Sequence, residues 1–206
     1  MSDAADLQSV VHHLDRALTE LAGHKDELRD LDAAVGDGDL GITISAGADA
    51  ARAALADHPP ATVADLLRAV GAAFAKANPS TMGALVGAGM LAAAKEVGDA
   101  QQWDRDLALR VGRAAADRVA ERGKAEPGDK TVLDAVLPSL AALANAEPGE
   151  GLAAMEVAAR GGVESTTDRA GRKGRAAWVG ERGVGHPDPG AMAYLYLLQS
   201  LRSTAG

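Results

Sequence analysis

The chain contains no cysteine. A disulfide framework and any thiolate metal site are therefore excluded. Aromatic residues are nearly missing too: Phe74, Trp103, Trp178, Tyr194 and Tyr196 are the five present among 206 residues. Hydrophobic content is still 47%, carried mostly by Ala, Leu and Val. Such a core packs through small side chains and close backbone approach, which suits helices better than strands. An excess of positive charge is lacking: the formal net charge of −8 argues against a general nucleic-acid-binding surface. No basic segment leads into an apolar stretch at Met1-Ser2-Asp3, so no signal peptide is visible and a cytoplasmic location is expected. Residues 77–94 carry no charge, but Asn78, Pro79, Ser80 and Thr81 interrupt them. They read as a buried helix preceded by a loop, not as a membrane span. Gly-x-x-x-x-Gly-Lys-Ser/Thr is absent, so any nucleotide would have to be held by helix ends.

What is present reads as helix from end to end. Leu7, Val10, Val11, Leu14, Leu18 and Leu21 recur at helical spacing, which predicts an amphipathic helix over 3–22. Further helices are expected over 25–35, 41–56, 62–77, 82–97, 104–122, about 129–144 with an interruption near Pro138, 150–168 and 189–201. Thr62 with Asp65 resembles a capping box. Asp129 is a plausible N-cap for the seventh helix. Asp188-Pro189 places a cap residue before Pro at the first helical position. Gly83, Gly87 and Gly89 sit inside the fifth helix, where each costs roughly 1 kcal/mol. Close helix packing and access of a ligand to backbone explain them equally well. With no internal repeat or long linker, residues 1–206 are expected to form one all-α domain.

The unusual chemistry lies in the loops. Between the second and third helices runs Asp32-Ala33-Ala34-Val35-Gly36-Asp37-Gly38-Asp39-Leu40-Gly41-Ile42-Thr43. Asp37 and Asp39 are two apart, so in extended backbone they point the same way, and Asp32 lies one helical turn before the break. Two such charges about 4 Å apart repel by roughly 4 kcal/mol at an effective dielectric of about 20. A hard divalent cation removes that cost, and Mg²⁺ prefers carboxylate and phosphate oxygens. An EF-hand is excluded, because Ala48 stands at position twelve counted from Asp37, and Ala34 at position three counted from Asp32. The plainer alternative is a solvated turn with Asp39 capping the third helix. If the site is functional, the Gly41-Ile42-Thr43 N–H groups at a helix start suit a phosphate.

A second constellation spans 169–187, where Arg169, Arg172, Lys173, Arg175 and Arg182 alternate with five glycines. It reads either as a surface loop offsetting an acidic protein or as a lid, with Arg forks for phosphate oxygens and Trp178 over an apolar ligand face. His12, His13, His24 and His58 read as surface residues, and His186 as a turn residue.

Three stretches together resemble one family. Leu31-Asp32-x-x-Val35-Gly36-Asp37-Gly38-Asp39-x-Gly41 resembles its metal loop, Gly123-Lys-Ala-Glu-Pro-Gly-Asp-Lys-Thr131 its nucleotide loop, and Lys173 to Gly190 its lid and closing turn. The family is the nucleotide-binding L subunit of dihydroxyacetone kinase, equivalently the C-terminal domain of the single-chain enzymes. The resemblance implies a barrel of eight antiparallel helices holding ADP or ATP at one end through two Mg²⁺ ions. It assigns the metal ligands to Asp32, Asp37 and Asp39, and catalysis to these with Arg175. Nucleotide contacts fall on Leu40, Gly41, Ile42, Thr43, Thr81, Met82, Gly123, Val132, Arg175, Asp188, Pro189 and Gly190. A separate subunit would hold the ketose as a hemiaminal on a histidine. The phosphoryl donor would be free ATP or a phosphohistidine protein of the sugar phosphotransferase system, and self-association as a homodimer stays open. A regulatory adaptor that keeps the nucleotide site is the other function the resemblance allows. Two places depart from the family pattern, at three residues: Leu40 stands where histidine is usual, and Met82-Gly83-Ala84-Leu85 where Ser-Gly-Pro-Leu is usual.

Overall fold

The computed structural model describes residues 4–173, 177 and 180–204. Arg175 and Trp178 lie outside the described residues. The described helices are α1 (Leu7–Gly23), α2 (Lys25–Val35), α3 (Leu40–Asp57), α4 (Val63–Ala77), α5 (Thr81–Val97), α6 (Arg105–Gly123), α7 (Leu133–Asn145), α8 (Gly151–Thr166) and α9 (Pro189–Thr204). A 3₁₀ turn spans Gly180–Gly183. Two short strands, β1 (Ala5–Asp6) and β2 (Gln102–Trp103), pair antiparallel with Ala5 opposite Trp103.

Local chemistry sets most boundaries. Thr62 Oγ1 accepts from Asp65 N–H at 3.1 Å and donates to Asp65 Oδ2 at 2.8 Å, so Thr62 caps α4 and the Asp65 carboxylate returns to its hydroxyl rather than to its backbone as the capping-box pattern suggests. Asp104 caps α6 through Leu107 N–H at 2.8 Å, and Asp188 caps α9 through Ala191 N–H at 2.7 Å. The first helix begins later than its periodicity predicts, because Asp6 turns its carboxylate back to Ser9 N–H at 2.9 Å and leaves residues 5–6 to strand pairing. Asp129 is not the cap of α7. Its Oδ2 accepts from Glu126 N–H at 2.9 Å, while Gly128 (φ 94°) and Lys130 (φ 63°) interrupt helical geometry before Val132, which takes the N-cap position.

Eight helices close a ring in which α1 packs on α3, then α4, α5, α6, α7, α8 and α9 follow in turn, and α9 returns to α1. The short α2 lies against α3 as a ninth helix outside that ring. Neighbours run antiparallel. Asp15 of α1 pairs with Arg52 of α3 at 2.8 Å. Thr43 near the start of α3 bonds Asn78 beyond the end of α4. Thr166 at the end of α8 accepts from the N–H of Asp188, just before α9. The eight-helix antiparallel barrel is therefore present.

Helices approach closely because glycine and alanine line the seams. Ala17, Ala48, Ala51, Ala93, Ala135, Ala159 and Ala191 are fully buried. A Cβ on Gly47 would enter the ring of Phe74, and one on Gly162 would enter the backbone of Asp134. The α5 glycines are explained the same way: a Cβ on Gly83 would lie 2.8 Å from Phe74 O, and one on Gly87 3.0 Å from Gly71 O. Helix packing, not ligand access, accounts for both. Among the described residues no helix is long and apolar enough to cross a membrane.

Candidate nucleotide and metal site

Antiparallel order places the N-termini of α3, α5, α7 and α9 on one rim of the barrel. Three of them meet directly. A Cβ on Gly190 would lie 3.1 Å from Met82 Cε and 3.6 Å from Val132 Cβ. The rim therefore gathers the positive ends of several helix dipoles, a setting that favours anions. Met82, Val132 and Gly190, far apart in sequence, are brought together here. Pro189 and Gly190 are buried, Val132 is half-buried and Thr81 is exposed. Gly123 ends α6, followed by Lys124 in the left-handed region at φ 49°.

The aspartates lie at the start of α3 on the same rim, with Asp32 close enough for its charge to act on Asp188. Carboxylate oxygens of Asp32, Asp37 and Asp39 lie within 4.8 Å of one another. Asp32 Oδ2 accepts from Leu40 N–H at 3.2 Å, which ties the end of α2 to the start of α3. The loop needs its glycines. A Cβ on Gly36 would sit 2.6 Å from Asp32 Oδ1, and Gly38 has φ +76°. Gly41 lies against the Lys25 carbonyl, with no room for a side chain. Asp39 occupies the N-cap position of α3 but makes no side-chain cap bond, so capping does not account for it.

Burial first, then the charges of Asp37 and Asp39, push the Asp32 carboxyl above its usual range, against the Leu40 N–H bond. A cation among the three oxygens would relieve that repulsion. The donor set is all hard oxygen, as Mg²⁺ requires.

Two expectations about α3 change. Thr43 N–H donates to Asp39 O at 2.9 Å within the helix, so it is not open to a phosphate. The buried Thr43 hydroxyl accepts from Asn78 Nδ2 at 2.7 Å and thereby fixes the α4–α5 turn. Leu40 is 5% exposed and packs in the core beside Leu28 and Ile44, so its side chain does not face the rim. Ile42 does face outward, at 47% exposure.

Asp188 is buried. Burial foremost, helped by the charges of Asp134 and Asp32, pushes its pKa up to about 7, while Ala191 N–H and the Lys130 charge oppose the rise. Asp134, absent from the sequence expectations, organises the 126–132 turn. Its Oδ1 accepts from Gly128 N–H at 2.6 Å and from Arg169 at 3.2 Å, and its Oδ2 from Thr131 N–H at 2.9 Å. Lys130 was missed as well, because a lysine between Asp and Thr in a polar loop reads as exposed. It is 1% exposed. Its place within a stretch resembling a nucleotide loop is the one available signal.

The aligned sequences decide the family. The chain is 33% identical over 181 residues to the ADP-binding subunit DhaL of PEP-dependent dihydroxyacetone kinase 1 from Listeria innocua, covering 88% of each chain. It is 30% identical over 201 residues to the corresponding Escherichia coli subunit, covering 95% of this chain and 96% of that one. The DAK2 domain pattern matches residues 34–203. The chain belongs to the dihydroxyacetone kinase L-subunit family. Other members of the family are longer. An L-erythrulose 1-kinase from Mycolicibacterium smegmatis is 37% identical over 187 residues, and the chain spans 32% of its length. The dihydroxyacetone kinase of C. freundii, in its crystal structure with AMP-PNP and Mg²⁺, superposes with a TM-score of 0.77 at 25% identity, over 98% of this chain and 35% of that one.

Proposed function

We propose that this chain is the nucleotide-binding, phosphoryl-transferring part of a short-ketose kinase, acting as a single helical domain. In this reading Asp32, Asp37 and Asp39 hold two Mg²⁺ ions, and the N-termini of α3, α5, α7 and α9 receive ADP or ATP. The observation that carries the reading is the convergence of the three carboxylates within 4.8 Å, with Asp32 close enough for its charge to act on Asp188, the cap of the helix whose Gly190 meets Met82 and Val132. The names of its relatives support it, since they include ADP-binding subunits and an erythrulose kinase.

When bound, Mg²⁺ neutralises the phosphate oxygens during transfer. The chain's own contribution is position. Asp32 anchors the metal loop to α3 through Leu40 N–H. Gly41, Ile42, Thr81, Met82, Gly123, Val132, Asp188, Pro189 and Gly190 shape the nucleotide cradle, and Arg175 supplies charge to the transferring group. The acceptor is a ketose held by a separate subunit or domain. Its hydroxyl oxygen takes the γ-phosphoryl group as its proton leaves and the bond to the β-phosphate oxygen breaks. The names of the relatives point to dihydroxyacetone or erythrulose. A phosphohistidine protein or free ATP then renews the donor.

Calorimetry with ADP, with Mg²⁺ and then with EDTA, tests the first step. Binding only with Mg²⁺ is expected; no heat in either condition refutes the reading. A regulatory adaptor is the second reading, favoured by the apolar Met82 methyl, which a Cβ on Gly190 would meet at 3.1 Å on the phosphate side of the cradle. Phosphoryl transfer in a mixture reconstituted with a ketose-binding subunit would exclude it.

A further inference from the structure

Lys130 holds a position the chemistry above does not use. Its side chain is 1% exposed and its backbone is left-handed, at φ 63°. The ammonium donates to three main-chain carbonyls: Arg169 O at 2.9 Å, Gly183 O at 2.8 Å and His186 O at 2.6 Å. All three of its protons are thereby used on neutral acceptors. A buried ammonium is costly unless every donor is satisfied, and it is normally paired with a carboxylate. Here the charges of Asp188 and Asp168 support it while burial lowers its pKa.

The three carbonyls come from separate points of the chain. Arg169 follows α8, Gly183 closes the 3₁₀ turn, and His186 lies two residues before the cap of α9. Weaker ties run alongside: Arg172 N–H donates to Asp129 O at 3.1 Å, and Lys173 Nζ stands 3.7 Å from Asp129 Oδ2. Gly185 N–H donates to Thr167 O at 2.8 Å. Lys130 is the point where the 126–132 turn, the residues after α8 and the residues before α9 are fastened together.

We propose that Lys130 is a positioning residue of the nucleotide site. By gathering the carbonyls of Arg169, Gly183 and His186, it locks the turn carrying Val132 to the turn carrying Asp188, Pro189 and Gly190. Nucleotide affinity then depends on its ammonium although it touches no ligand. A site assembled from two turns binds only when both are in register, so losing the clamp lowers the competent fraction and raises the apparent Kd in proportion.

The absence of cysteine makes the test clean. Lys130→Cys, followed by alkylation with bromoethylamine in denaturant and refolding, restores an ammonium at nearly the same reach. Lys130→Cys should weaken ADP binding in Mg²⁺ about tenfold or more, as expected if the clamped arrangement falls to about a tenth of molecules. Trypsin should cut after Arg172, Lys173 and Arg182 correspondingly faster. Aminoethylation should return both readouts towards wild type. Unchanged affinity and unchanged trypsin resistance in Lys130→Cys would overturn the inference. So would an aminoethylated protein that regains its Tm but not its affinity, since the ammonium would then be structural only. If Lys130→Cys does not fold, hydrogen exchange of the wild type decides. The Thr131, Arg172 and Gly185 amides should open as one unit, and protection differing by more than about tenfold among them would refute the clamp. The affinity arm rests on the nucleotide reading; the trypsin and exchange arms do not. Wild-type protein that fails to bind ADP with Mg²⁺ would therefore sink that reading and leave the clamp to be judged separately.

Discussion

Asp32→Asn should make the protein more stable and, at the same time, deaf to magnesium. Asn keeps an acceptor for Leu40 N–H and removes one of three clustered charges. At the 4.8 Å limit of their separation, each pair of unit charges repels by about 0.9 kcal/mol in water and about 3.5 kcal/mol at a dielectric of about 20. Asp32 is half-buried and Asp37 exposed. Solvent screening therefore keeps the relief from two pairs to about 1–2 kcal/mol. For a chain of this size that raises Tm by about 2–8 °C. The size of the gain depends on pH. The Asp32 carboxyl is raised in the folded protein. Below about pH 4 it is protonated in both folded and unfolded states, and no penalty exists. The penalty grows as pH climbs through the raised value, so the variant's advantage should vanish in acid and be complete at pH 7–8. Differential scanning fluorimetry in EDTA, repeated across pH and then with Mg²⁺, reads all of this. Added Mg²⁺ should raise the wild-type Tm by mass action and leave the variant unmoved. A variant less stable than wild type in EDTA at pH 7.5 would refute the electrostatic account, and a variant that Mg²⁺ stabilises equally would refute the ligand assignment.

Two other perturbations have defined signs. Asp188 is raised to about 7 in the folded state, so it contributes stability that is full below about pH 4 and lost as pH rises through about 7. Wild-type Tm in EDTA should therefore fall as pH rises from about 4 to about 7 and level off above, and Asp188→Asn, which can still accept from Ala191 N–H, should flatten that fall. Phe74 is 5% exposed and fills the seam against Gly47. Phe74→Ala should cost about 3–5 kcal/mol in urea unfolding, as aromatic truncations in a core do.

Much of the barrel was legible because helices announce themselves locally. Thr62, Asp104 and Asp188 stand at helix starts and bond there as their positions suggest. Pro138 lies inside α7 rather than breaking it. The aspartate cluster was legible as well, since spacing alone brings Asp37 and Asp39 to one side. What failed were judgements that needed tertiary partners. Asp129 resembles a cap, but the left-handed backbone at Gly128 and Lys130 removes it from the helix. Nothing local in the sequence marks Lys130 or Glu156 as buried. Lys130 is buried against carbonyls. Glu156 is buried against Arg160 at 3.0 Å, with Arg202 Nε 2.8 Å from its Oε2 but off the line of a hydrogen bond. Leu40 read as a position at the ligand, yet its side chain belongs to the core. The closure of α9 on α1 joins residues nearly the whole chain apart, as in the Ser203–Glu20 bond at 2.5 Å, and no periodicity encodes it.

Ring closure also has a consequence in time. The rim carries residues from Asp32 to Gly190, and Gly190 reaches Met82 and Val132 only when α9 has docked between α8 and α1. Contacts so distant in sequence form late, because their loop-closure entropy must be met first. During synthesis the aspartates would emerge early, flanked by helices that already fold, yet without the turns that complete the cradle. Ligand capture would then report a finished chain. A ribosome-stalled product ending before residue 189 should hold helix and yet retain no nucleotide.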